Sequence, residues 1–98
     1  MAVLAGPRVA ALFRDVTPPS AETLTTGCQW KIIRKIAGVY EEPRKDAPRI
    51  KTKEKDNKVG PYCTKWTNPE DGKTYIPVTT DSAIDRIGWI DASTLTPA

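Results

Sequence analysis

Two cysteines, Cys28 and Cys63, and no histidine at all are the first constraint on what this 98-residue chain can do. Two thiols without an imidazole cannot complete a four-ligand zinc site within one chain. The commonest general base is absent, and no residue stands out to activate a cysteine nucleophile. The carboxylates offer no substitute. Glu41-Glu42 and Glu70-Asp71 are adjacent pairs, and Asp81, Asp85 and Asp91 lack the spacing of a calcium loop. There is no glycine-rich phosphate loop. The chain is therefore read as non-enzymatic, with neither metal nor cofactor. The two thiols can close one disulfide around 36 residues, a constraint of roughly 3–4 kcal/mol, or they can stay free as small buried apolar groups. A disulfide would point to an extracellular or virion-surface setting. Against that, the opening "MAVLAGPRVAALF" is broken by Pro7 and Arg8 and has no basic segment ahead of it, so no secretory signal is read there. The compartment stays open.

What remains is the chemistry of recognition. Trp30, Tyr40, Tyr62, Trp66, Tyr75 and Trp89 are the large aromatic side chains of the region beyond residue 27. A small domain must bury some of them; others can line a groove. The net charge of +3 is unevenly spread. Lys31 to Lys58 carries ten basic and five acidic residues, a local +5, and Thr67 to Ala98 carries two and five, a local −3. Such polarity can steer a partner. Lys51, Lys53, Lys55 and Lys58 read first as a solvated edge that discourages strand pairing, with an acidic protein surface or an anionic wall polymer as the functional alternative. Nucleic acid ranks last, because the aromatics do not interleave with the basic run as stacking platforms would.

The elements that must position these residues are short. Nine prolines and six glycines imply many turns, and no apolar run approaches the roughly 18–20 residues that would cross a bilayer. Residues 1–27 read as an arm and linker, and residues 28–98 as one domain. In the arm, Val9, Leu12, Phe13 and Val16 fall on one face of a short amphipathic helix begun by Pro7. That stripe needs something to pack on, either its own domain or a neighbouring subunit. Beyond it, "WKIIRKIAGVY" predicts one strand or two with a break at Gly38, and "RIKTKEKDNKVG" predicts a hairpin turning near "KDNK". "VGPYCTKW" places Cys63 in a further strand, "TNPEDGK" is a turn, and "TYIPVTT" is a strand whose Pro77 argues for an edge or irregular position. "IGWID" closes the series, with Ile90 inward and Trp89 on the opposite face. Five short antiparallel strands are expected to curl into a small, partly open barrel.

The order of these pieces from about Cys28 to Thr96 resembles bacterial Src-homology-3-like (SH3b) domains. "IGWIDASTL" is similar to the family's closing Gly-aromatic-Ile strand and small-residue turn, "GKTYIPV" to its fourth strand, and "YCTKW" with the upstream cysteine to cysteine-bearing actinobacterial members. "EEPRKDAP" stands where an "RSGPS"-type loop is common. The resemblance implies an all-β, five-stranded SH3-like barrel. It also implies a binding module that recognises a peptide, a protein or a cell-wall component through an aromatic groove. Tyr40, Tyr75 and Trp89 are the groove residues it suggests, with Trp66 a further ligand-binding candidate among the aromatics; alternatively Tyr75 and Trp89 pack against each other to close the barrel. The alternative is a structural subunit of a phage particle or other complex, docking as a homo- or hetero-oligomer through the arm.

Overall fold

"WKIIRKIAGVY" does break into two strands, but the break falls at Ile33–Lys35 and not at Gly38, and the two halves join different sheets. β1 (Trp30–Ile32) lies between β4 (Lys58–Val59) and β8 (Leu95–Pro97). β2 (Ile36–Tyr40) enters a five-stranded sheet with β3 (Arg49–Glu54), β5 (Trp66–Thr67), β6 (Thr74–Thr79) and β7 (Ile87–Asp91), in the order β3-β2-β7-β6-β5. All pairings are antiparallel. The computed structural model describes residues 18–98. The helix expected on Val9, Leu12, Phe13 and Val16, and most of the arm, lie outside the described residues.

The described chain is therefore all-β, with eight strands in two sheets in place of the five expected, and the sheets do not close into a barrel. The physical reason is that the chain switches sheets at its turns. The segment expected to be a lysine hairpin shows this directly. Asn57 Oδ1 accepts from Glu54 N (2.9 Å) and Asp56 takes a left-handed φ of 73°. The turn is tight, yet the strands on either side separate: β3 goes to β2, and β4 goes to β1. Two 3-10 turns, Ala21–Thr23 and Ala92–Thr94, are the helical elements among the described residues. No described helix is long and apolar enough to cross a membrane.

The main core lies between the sheets. Ile32, Val39, Ile76, Val78 and Ile90 are almost wholly buried, with Trp30, Ala37, Val59 and Leu95 around them. Gly88 of "IGWID" serves close approach: a Cβ added there would drive into Val39 Cγ1 and reach Thr80 Cγ2 at 3.1 Å. Pro77 is also explained. Residues 75, 77 and 79 share one edge of β6, and Thr79 N on that edge donates to Gly60 O (3.0 Å), away from β7. β5 pairs only with Thr74 and Tyr75, so the missing N–H of Pro77 falls in the unpaired gap beyond it.

Cys28 and Cys63 form a disulfide, with Cα atoms 5.1 Å apart. Cys63 is not in a strand, as the sequence suggested, but in the connection between β4 and β5. That connection is zipped to the segment before β1. Gly27 N and Cys28 N both donate to Pro61 O (3.0 Å each), Cys63 N donates to Thr25 O (2.8 Å), and Thr26 bridges Tyr62. The Trp30 indole Nε1 adds a bond to Tyr62 O (2.8 Å).

Because the bridge spans 35 positions, its removal should release a large loop in the unfolded chain. The double substitution Cys28→Ser with Cys63→Ser is expected to lower unfolding free energy by about 3–4 kcal/mol, read from urea titrations. A loss under 1 kcal/mol would mean the backbone zipper holds the segment unaided.

Candidate functional site

Strand register brings all four candidate binding residues to one sheet face. Tyr40 on β2 is opposite Trp89 on β7, Trp89 is opposite Pro77 on β6, and Trp66 on β5 is opposite Tyr75 on β6. Directly opposed residues point the same way, so these side chains form a row on the face away from the main core. The segment zipped by the disulfide covers the middle of that row. Leu24, Tyr62 and Trp66 pack against Tyr75, Ile87 and Trp89, making a second, smaller core. Tyr75 is left 1% exposed and Trp89 5%. A ligand arriving from solvent meets Tyr40 and Trp66, which are half-buried. The Tyr40 ring is itself partly occupied, by the Arg49 guanidinium 5.8 Å from its centroid.

Beside Trp66 the surface opens into a cleft between the loop 41–48 and the turn 68–73. One part, about 220 Å³, is lined by Trp66, Pro43 and Pro18 together with Glu42 and Glu70. It continues past Arg44 and Asn68 into a second depression of about 360 Å³ that ends on Asp71.

Local polar chemistry fixes both walls. The Arg44 guanidinium donates to Glu42 (3.0 Å) and Asp46 (2.8 Å), folding the loop 41–48 back on itself. Exposed pairs of this kind add little stability, but they set the loop's shape. Asn68 is buried; its Nδ2 donates to Pro43 O (3.0 Å) and its Oδ1 accepts from Glu70 N (2.7 Å). Asp71 ties the walls together. It accepts from Lys45 N, from Lys73 N and from the Tyr75 hydroxyl, each at 2.9 Å. Burial pushes the Asp71 carboxyl up, but those donors outweigh burial and hold it below its ordinary value of 3.8. Burial first, and then the bond to Asp71, push the Tyr75 phenol far above its usual range. Tyr75 thus has its ring in the second core and its hydroxyl on the hinge of the cleft.

Asn68, Asp71, Pro43 and Arg44 were not singled out in the sequence. A weak signal was present: Asn and Asp before Pro and Gly in "TNPEDGK" are residues whose side chains bond nearby backbone. That chemistry predicts a turn, not a turn that grips a loop 25 residues away. Among the described residues, no group of three or more His, Cys, Asp or Glu side chains is placed to hold a metal ion. The arrangement offers an aromatic ring, two prolines and four carboxylates, Glu42, Asp46, Glu70 and Asp71, with the cations Arg44 and Lys45 among them, around an open cleft. No protein-family model, curated protein or solved structure matches this chain.

Asp71→Ala should leave the buried Tyr75 hydroxyl without its acceptor and cost about 1–3 kcal/mol. Tyr75→Phe, which removes the donor, should cost less. Because the folded carboxyl titrates below the unfolded one, its contribution is complete above pH 4 or so and fades as pH falls through the folded value. The gap between wild type and Asp71→Ala should accordingly narrow toward pH 2 in denaturant titrations. A gap that does not change with pH would remove the charged carboxylate from the explanation.

Proposed function

We propose that this domain is a non-catalytic, SH3-like binding module that takes an extended protein segment in the Trp66 cleft. The observation that carries the reading is the placement of one accessible indole, Trp66, between Pro43 and Pro18 in a cavity flanked by Glu42 and Glu70. An indole face between prolines suits a preformed extended peptide, which loses little conformational entropy on binding. Glu42 is already paired with Arg44 in the same lining, so Glu70 is the carboxylate that favours a lysine or arginine in that peptide. Pro18, from the linker, forms part of the cavity wall. The lack of histidine in the sequence agrees with a role in binding and not in catalysis. The Cys28–Cys63 disulfide is compatible with an oxidising, extracellular setting.

The test is selection from a displayed library of random 12-residue peptides against the full chain. Selected peptides should contain proline with a nearby basic residue. Trp66→Ala should weaken their binding by about 30-fold or more, as loss of a central aromatic anchor does, while far-UV circular dichroism stays unchanged. Glu70→Gln should reduce the preference for the basic residue. Peptides that bind the folded Trp66→Ala protein as well as wild type would refute the cleft as the site.

A further inference from the structure

The two sheets leave an open seam between β3 and the far end of β6, and cations from three separate elements line it. One depression of about 400 Å³ holds Lys51 and Lys53 of β3 with Arg86 of the loop before β7. A second of about 400 Å³ adjoins it through Lys53 and Thr79 and adds Lys58 of β4. We propose that this seam binds a linear phosphate polymer, recognised through its charge and not through bases.

Three observations support it. First, the lysines occupy a costly face. Lys51 is opposite Val39 and Lys53 opposite Ala37, so both continue the core-side face of β2 at the sheet edge. Inward lysines deter edge pairing, but that role does not call for cations from β4 and the 80–86 loop to converge on the same groove. Second, Arg86 sits at a left-handed φ of 64°. Its N donates to Ala83 O (3.1 Å), and its O accepts from Thr80 N (2.9 Å). Glycine or asparagine would hold that turn with less strain, and strained residues cluster where a side chain has a task. Third, one carboxylate, Asp81, stands in the groove, paired with Lys51 at 3.6 Å, leaving the cations in excess. The Thr79 hydroxyl proton is already given to Gly60 O (3.1 Å), so the seam offers charge ahead of hydroxyl donors.

A polymer fits better than a single anion because the cations are spread along two joined depressions. Lys51 and Lys53 alone stand about 7 Å apart along the strand. Phosphate suits lysine, which acts as a point charge. Nucleic acid suits it less, since no aromatic side chain lines either depression to stack a base. The seam does not use the Trp66 cleft, so this inference stands apart from the peptide reading.

The test uses the full chain and long-chain inorganic polyphosphate, followed by fluorescence anisotropy over a salt series. Binding should weaken with a log–log slope of about −3, as four cations predict at about 0.7 each. Lys53→Glu and Arg86→Glu should each cost about tenfold or more. Lys35→Glu, of equal charge but outside the seam, should cost less than threefold. Asp81→Asn should strengthen binding by a few fold. Equal losses in Lys35→Glu and Lys53→Glu would reduce the effect to net charge and overturn the site. Inorganic monophosphate displacing the polymer at equal phosphate concentration would overturn the polymer. Single-stranded DNA binding more tightly than polyphosphate would overturn the non-nucleic assignment.

Discussion

The β6–β7 hairpin is buried on both faces, and most of the structure follows from how a small chain achieves that. One face, with Ile76, Val78 and Ile90, closes the main core. The other, with Tyr75, Ile87 and Trp89, needs a second cover. The cover is Leu24 and Tyr62, with Trp66 of β5 at their side; the segment carrying Tyr62 is held by the disulfide, by backbone bonds to residues 25–28, and by the Trp30 indole. A loop lying on a core must satisfy its own polar groups, and this one does so by borrowing the edge of the linker. Among the described residues no buried side-chain polar atom lacks a partner.

This arrangement explains which parts of the fold the sequence disclosed. The β-branched runs, the turns at "KDNK" and "TNPEDGK" and the opposition of Trp89 and Ile90 were readable, because period-two patterning and turn residues are local signals; the break in "WKIIRKIAGVY" was misplaced at Gly38. The number of sheets was not. Nothing in "RIKTKEKDNKV" says that its two arms pair with different partners, since register is decided by distant strands. The aromatic row was half legible. Its four members do share a face, but burial of Tyr75 and Trp89 depends on Leu24 and Tyr62, which lie 51 and 13 residues before Tyr75 in sequence. The Asn68 and Asp71 clasp was illegible for the same reason: turn chemistry is local, and the loop it grips is not.

Burying the row has a consequence for recognition. Had Tyr75 and Trp89 been open, the face would be a broad aromatic platform. With them covered, the accessible aromatic surface shrinks to Trp66, the half-buried Tyr62 of the cover and the arginine-capped Tyr40. On the proposed peptide reading, specificity falls to the rim, where the loop 41–48 and turn 68–73 bring Glu42, Glu70 and Arg44 beside the indole. The rim is held by Asn68 on Pro43 O and by Asp71, which carries three donors, one of them from the second core. A disturbance of that core therefore reaches the cleft through a single phenolic hydroxyl.

The charge asymmetry read along the sequence becomes a spatial one. At the cleft Glu42, Asp46, Glu70 and Asp71 outnumber Arg44 and Lys45, whereas at the seam Lys51, Lys53, Lys58 and Arg86 outnumber Asp81. The two sites are built from different failures of closure. The cleft exists because β5 is only two residues long and leaves the turn 68–73 free to reach the loop 41–48. The seam exists because β3 and β4 diverge after Asp56 into separate sheets. A fully closed barrel would have paired those edges and erased the seam, so the positive groove is a direct product of the sheet switch at "KDNK".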